Sequence, residues 1–238
     1  MLLGIIIIMI FTVSFLFGTN IMMVIIHTAR GMPLASSDFS IQKASSFVDE
    51  NKIMHVYGEV KNISDKAMTN VVAKALFYDS NGKLLGEFQR SSELRTINPG
   101  GISPFEILYI DTKTVNSIKD FQLSAIGTPI EKTKPTALKI QSDNSRLDIL
   151  GFYYINGRIV NGGPLKATES SAIATLYDKD DKVIGIGRAL AEPVNILPAG
   201  KAAFGLVATQ KLQTYKIKSY SLIADSNQYM SLPIFLRK

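Results

Sequence analysis

Cysteine is missing from all 238 residues. That absence excludes a disulfide framework, a thiolate metal site, a cysteine nucleophile and a lipid-modified cysteine. Histidine is nearly missing too, with only His27 and His55. Two isolated imidazoles far apart in sequence, without cysteine, do not make a zinc, copper or haem site. No Gly-x-Ser-x-Gly elbow, P-loop or dinucleotide-binding glycine motif occurs. These absences argue against a metabolic enzyme and leave no cofactor to expect. Basic runs are lacking as well: the formal charge is +6 and the pI near 9.3, but lysines and arginines are scattered among acids. A solvated surface is expected rather than a nucleic-acid footprint.

Charge of either sign is absent from residues 1–29, and Leu2 to Ile26 form an apolar run broken only mildly at Gly18-Thr19-Asn20. About 20 apolar residues cross a bilayer as a helix. A cleavable signal has a basic start and a shorter apolar core, and this segment has neither. Residues 1–30 are therefore expected to be a transmembrane anchor or uncleaved signal, followed by a linker over 31–37. Arg30 alone argues mildly for a cytoplasmic C-terminus by the positive-inside rule. The β-modules that follow suggest instead that they lie outside the cytoplasm, anchored or, if the segment is cleaved, secreted.

What the chain does contain is a repeat. Gly58 recurs as Gly157, and the same offset of 99 residues links Asn62 to Asn161, Thr69 to Thr168 and Ala75 to Ala174. It also links Tyr78-Asp79 to Tyr177-Asp178, Pro99 to Pro198, Phe105 to Phe204 and Leu123 to Leu222, without a gap. A period this long is a whole domain and not a solenoid unit. In the first copy Met54, Val56, Gly58 and Val60 alternate with His55, Tyr57, Glu59 and Lys61, the period-2 signature of a half-buried strand. Further alternating rows follow, separated by turn clusters such as Asp79-Ser-Asn-Gly82 and Pro99-Gly-Gly101. Helical patterning after residue 30 is confined to Lys113–Ile118. The fold class predicted is all-β: two tandem Ig-like β-sandwich domains, 38–128 and 137–228, behind an N-terminal transmembrane helix. A two-proline linker, 129–136, predicts end-to-end modules of limited freedom. The tail 229–238 is apolar enough to dock on the second copy.

The first copy's Ala-Leu-Phe77-Tyr78-Asp79, Gly58-x-Val60-x-Asn62-x-Ser64 and Pro99-Gly-Gly-x-x-x-Phe105 resemble the FxLYD-type domain of prokaryotic cell-envelope proteins. The second copy matches with Leu176-Tyr177-Asp178, Gly157-x-Ile159-x-Asn161 and Pro198-Ala-Gly-x-x-x-Phe204, but lacks the Ser after the Asn and the turn Gly. The resemblance implies an Ig-like sandwich, often behind an export or membrane segment, and brings no catalytic residues.

Candidate sites can be weighed against that repeat. Tyr78-Asp79 and Tyr177-Asp178 recur together, so the Asp is expected to open an Asx turn. Asp178, Asp180 and Asp181 crowd one loop and are a weak Ca²⁺ candidate, since 6–8 oxygens are needed. Asn62-Ile63-Ser64 is a sequon and so a glycosylation candidate, although a turn-forming or strand-capping role also explains Asn161. Phe152, Tyr153 and Tyr154 form an aromatic run found in the second copy only and are the binding-surface candidates. The expected role is a non-enzymatic, membrane-anchored protein whose modules do structural or binding work with envelope proteins or glycans. The alternative is an accessory or sensor subunit of a membrane complex. A hydrolase would require Asp178, Asp180 and Asp181 to cluster with Glu169.

Overall fold

A computed structural model describes residues 38–237, so the segment read as an anchor and its linker lie outside the described residues. The chain is all-β. Copy one contains β1 (Phe39–Val48), β2 (Met54–Asn62), β3 (Ala67–Tyr78), β4 (Leu84–Ser91), β5 (Thr96–Ile97), β6 (Ile102–Tyr109) and β7 (Asp120–Ile130). Copy two contains β8 (Leu138–Leu147), β9 (Tyr153–Asn161), β10 (Ser171–Tyr177), β11 (Val183–Leu190), β12 (Lys201–Ala208), β13 (Ser219–Asp225) and β14 (Ile234–Arg237). A single 3-10 turn, Val115–Ser117, lies within the stretch predicted as helical, and the short helix α1 (Lys211–Thr214) stands at the corresponding place in copy two. No described helix is long and apolar enough to cross a membrane.

Every strand pairing is antiparallel. Copy one has a β1-β2-β6 sheet facing a sheet in which β3 pairs with β4, β5 and β7. Copy two repeats this with β8-β9-β12 facing β11-β10-β13, and β14 adds a strand beside β13. The tail thus docks by strand addition, with Tyr220 opposite Leu236 and Leu222 opposite Ile234. Between the sheets lie Val56, Val60, Phe77, Phe105 and Ile107 in copy one, and Ile155, Ile159, Leu176, Phe204 and Leu222 in copy two.

The repeated residues are the ones that build each copy. Gly58 and Gly157 leave room for the ring opposite them. A Cβ at either would stand 2.7 Å from Phe105 or 2.6 Å from Phe204. Asn62 is fully buried; its Nδ2 donates to the carbonyls of Lys66 and Ile97, and its Oδ1 accepts from Ser64. Asn161 does the same with Leu165, Ile196 and Gly163. Each Asn therefore closes a loop across its sandwich, which identifies why it recurs. This corrects the glycosylation candidate: the Asn62 amide is inside the protein with both hydrogens committed, so a glycan could be attached only at the expense of the fold.

The end-to-end arrangement suggested by the linker prolines is not what forms. Residues 38–237 lie within one compact unit, in which sheet faces of the two copies pack together. Residues Met54–Val60 of β2 are buried on both faces, as is all of β10. Ile173, Ile223 and Met230, from the outer side of copy two's sheet, join the apolar cluster of copy one. The linker is also tied down. Asn98 brackets Lys134 through its backbone N–H and C=O, and the buried Lys134 ammonium lies 2.6 Å from buried Asp225.

Asn161→Ala should leave the Leu165 carbonyl and the Gly163 N–H without their partner, and the Ile196 carbonyl with the Ala167 N–H alone. The expected loss is about 2–4 kcal/mol of unfolding free energy, read by denaturant titration; a loss below about 0.5 kcal/mol would contradict the loop-closing role.

Candidate binding surfaces

The outward row of β2 supplies the polar chemistry between the copies. Glu59 is 4% exposed and accepts a hydrogen bond from the Tyr177 hydroxyl at 2.5 Å. Its second oxygen, Oε2, has no hydrogen-bond partner, and the Lys43 ammonium stands 4.0 Å away. Lys43 itself occupies the left-handed region (φ 52°) at a bulge in β1. From there it lies over the Tyr177 ring, 4.4 Å from its centre, and 3.0 Å from Asp181. Burial raises the Glu59 carboxyl above its ordinary pKa, and the Tyr177 hydrogen bond and Lys43 only partly oppose that. Burial and the neighbouring Glu59 likewise push the Tyr177 hydroxyl up.

Towards the turn joining β1 and β2, His55 stacks on Phe47 with ring centres 4.7 Å apart. Its Nδ1 is 2.7 Å from Glu106 and its Nε2 3.4 Å from Asp49. Burial works against a charge on this ring, but the bonds to Glu106 and Asp49 outweigh it, so the pKa is raised above 6.5. The same bonds help hold Asp49 and Glu106 below their ordinary values against desolvation. When protonated, the ring donates from both nitrogens to these carboxylates and has no lone pair left to bind a metal. The adjoining cleft, lined by Tyr57, Glu106, Ile184, Gln213 and Thr214, has a volume of only about 180 Å³. Ligand pockets run to about 300–1,000 Å³.

The predicted site residues are dispersed. Asp178 opens an Asx turn, accepting from Asp180 and Lys182, as Asp79 does from Asn81 and Lys83. Asp180 pairs with Lys179 and Asp181 with Lys43, while Glu169 pairs with Arg95. No three potential ligands converge on a metal position among the described residues. The three carboxylates of the loop thus face different partners, and the grouping with Glu169 that a hydrolase would need does not form. The aromatic run also divides. Tyr153 is 1% exposed and meets Tyr220 edge-on in the core, which corrects its reading as a surface residue. Phe152 and Tyr154 stay half-buried, with Lys211 over the first ring and Arg146 4.7 Å from the centre of the second.

The residues missed in the sequence are those of the interface. Glu59, Tyr57 and His55 were legible as an outward row, and nothing local marked that row as covered. Rim pairs complete the contact: Arg188 reaches the Glu93 carboxylate at 2.9 Å and its carbonyl, and Arg95 reaches Glu169 and Asn227. The opposite sheet of copy two, β8-β9-β12, has an outer face open to solvent, where Arg158, Lys139, Lys201 and Ala203 are exposed.

No family model and no curated protein matches the chain. Among solved structures it is similar to red sea bream transglutaminase, at 12% identity and a TM-score of 0.29, covering 84% of this chain and 30% of that one. It is also similar to the exo-chitosanase CsxA of Amycolatopsis orientalis, at 11% identity and a TM-score of 0.32, covering 86% and 27%. A calcium-binding mutant of β-glucuronidase 2 from Bacteroides uniformis matches at 13% identity and a TM-score of 0.28, covering 87% and 30%. The chain spans less than a third of each of these structures. Likeness at this level assigns no activity.

Two pH-dependent outcomes follow from the buried groups. Glu59 has a raised folded pKa, so ionising it costs stability as pH rises through that value. Glu59→Gln should be more stable than wild type at neutral pH by about 1–2 kcal/mol and indistinguishable below about pH 4. His55, also raised, contributes stability that is complete below pH 6.5. That contribution is lost as pH rises through the folded value. Melting temperature above about pH 7 should therefore fall more steeply in wild type than in His55→Gln; parallel curves would contradict the raised pKa of the ring.

Proposed function

We propose that this chain is a non-catalytic, membrane-anchored extracytoplasmic protein that presents two Ig-like modules, fused side to side, for structural or binding work in the cell envelope. The observation that carries the reading is the burial of β2 and β10 on both faces. It turns two modules into one stiff body whose remaining sheet faces are available as flat surfaces. Flat surfaces suit a partner or a polymer better than a small substrate. The uncharged apolar run Leu2–Ile26 supports attachment to a membrane. The motif resemblance to the FxLYD type supports an envelope setting, with envelope proteins or glycans as partners. A histidine held between two carboxylates and the separation of Asp178, Asp180, Asp181 and Glu169 favour binding over catalysis. An exposed Phe152-Tyr153-Tyr154 patch would favour the alternative of an accessory or sensor subunit, but Tyr153 is buried.

Protease added to intact cells should degrade the body while leaving cytoplasmic markers whole, and membrane fractionation should recover the full chain with the membranes. Protection of the body until cells are lysed would overturn the extracytoplasmic assignment.

A further inference from the structure

The two copies share a fold but end differently. After β13 the chain turns back through residues 226–233 and adds β14 beside β13, pairing Ser219–Leu222 with Arg237–Ile234. After β7, the equivalent strand of copy one, the chain runs on through the linker into copy two. β7 pairs with β3 and has no strand on its other side among the described residues. At the repeat offset Ser219–Leu222 correspond to Asp120–Leu123. That stretch of β7 is therefore an open edge where copy two has a covered one.

The side chains register the difference. In copy two the inward residues Tyr220 and Leu222 are 3% and 0% exposed, and Ile234 and Leu236 of β14 pack against their core. In copy one the equivalent Phe121 and Leu123 are only half-buried. The Phe121 N–H, at the open edge, is taken by the carboxylate of its neighbour Asp120 at 2.8 Å. Native edge strands are commonly blunted by lysine or proline. Asp120–Ala125 contains neither. An unpaired edge with apolar side chains open beside it is a template for an added strand.

Copy two shows what such a strand must carry. Its inward residues Ile234 and Leu236 stand opposite Leu222 and Tyr220, and its Arg237 stands opposite Ser219. In copy one that last position is the exposed Asp120, so a cation there gains a charge partner that β14 lacks. The tail of a second copy cannot supply the strand without uncovering its own β13, since each chain has one tail for two such edges. A two-fold pairing of β7 with β7 across this stretch sets Asp120 opposite Leu123 or Ser124, neither of them a cation. We propose that the Asp120–Leu123 edge of β7 binds an extended segment of a partner protein by antiparallel strand addition. The segment reads apolar-x-apolar-cation, with its apolar side chains over Leu123 and Phe121 and its cation against Asp120. This names a partner class for the binding reading above and rests on it.

The probe is a synthetic peptide with the sequence of residues 232–238, carrying Phe235→Thr for solubility, added to the full chain in a polyoxyethylene detergent. Hydrogen exchange should slow across Phe121–Ala125 and stay unchanged in β13. Ile234→Asn with Leu236→Asn in the peptide should weaken binding about tenfold or more. Asp120→Lys in the chain should weaken binding of the basic peptide about two- to fivefold, and Arg237→Glu in the peptide should restore it. An unchanged melting temperature establishes that the Asp120→Lys chain folds. The proposal is overturned by no slowing in β7, by slowing confined to β13, by equal binding of the Asn peptide, or by an Asp120→Lys chain that binds the basic and acidic peptides alike. A dimer that protects β7 without any peptide also overturns it and assigns the edge to a second copy. Protease accessibility in cells reads the envelope assignment separately, so each can fail alone.

Discussion

The outer row of β2 lies against copy two, and the remaining architecture depends on that contact. His55, Tyr57 and Glu59 point away from the core of their own sandwich yet are buried. Tyr57, Tyr177 and Val183 form a small apolar cluster between the copies, and Ile173, Ile223 and Met230 of copy two join the apolar cluster of copy one. Apolar burial provides the driving force. The ion pairs at the rim, exposed at least in part, fix register more than they add stability. Glu59 is the cost of the arrangement: a carboxylate under Tyr177 with one unpaired oxygen. Its retention fits a role in orienting the copies, since Lys43 reaches both Glu59 and the Tyr177 ring from a left-handed position.

Much of the single-copy fold was legible because the repeat acts as an internal control. Asn62 and Asn161 recur because each ties a loop across its sandwich, and Gly58 and Gly157 because a Phe ring fills the space a Cβ would take. Asp79 and Asp178 open the same Asx turn. These are local or within-sandwich constraints, and they leave marks at fixed spacing. The interface leaves weaker marks, because an outward position reads the same whether water or a second module covers it. One signal was present: Ser171 to Tyr177 contains no charge on either face, as expected of a strand buried on both sides. Tyr153 was misread for a related reason. Its run of three aromatics hid the alternation that puts Tyr153, Ile155, Gly157 and Ile159 inside.

The differences between the copies carry the functional content. Once one face of copy one is closed by copy two, the same face of copy two has no internal partner and has diverged in charge. The loop acids and the aromatic run differ between copies as well, but their side chains are taken up by local pairs or by the core.

Hydrogen exchange on the full chain, comparing wild type with Tyr177→Ala, tests most directly whether the two copies form one body. If they do, loss of the Tyr177 side chain from copy two will speed exchange in β2 and β6 of copy one as well as in β10 and β11. Faster exchange confined to copy two, with β2 and β6 unchanged, would show that the modules are independent and contradict the account.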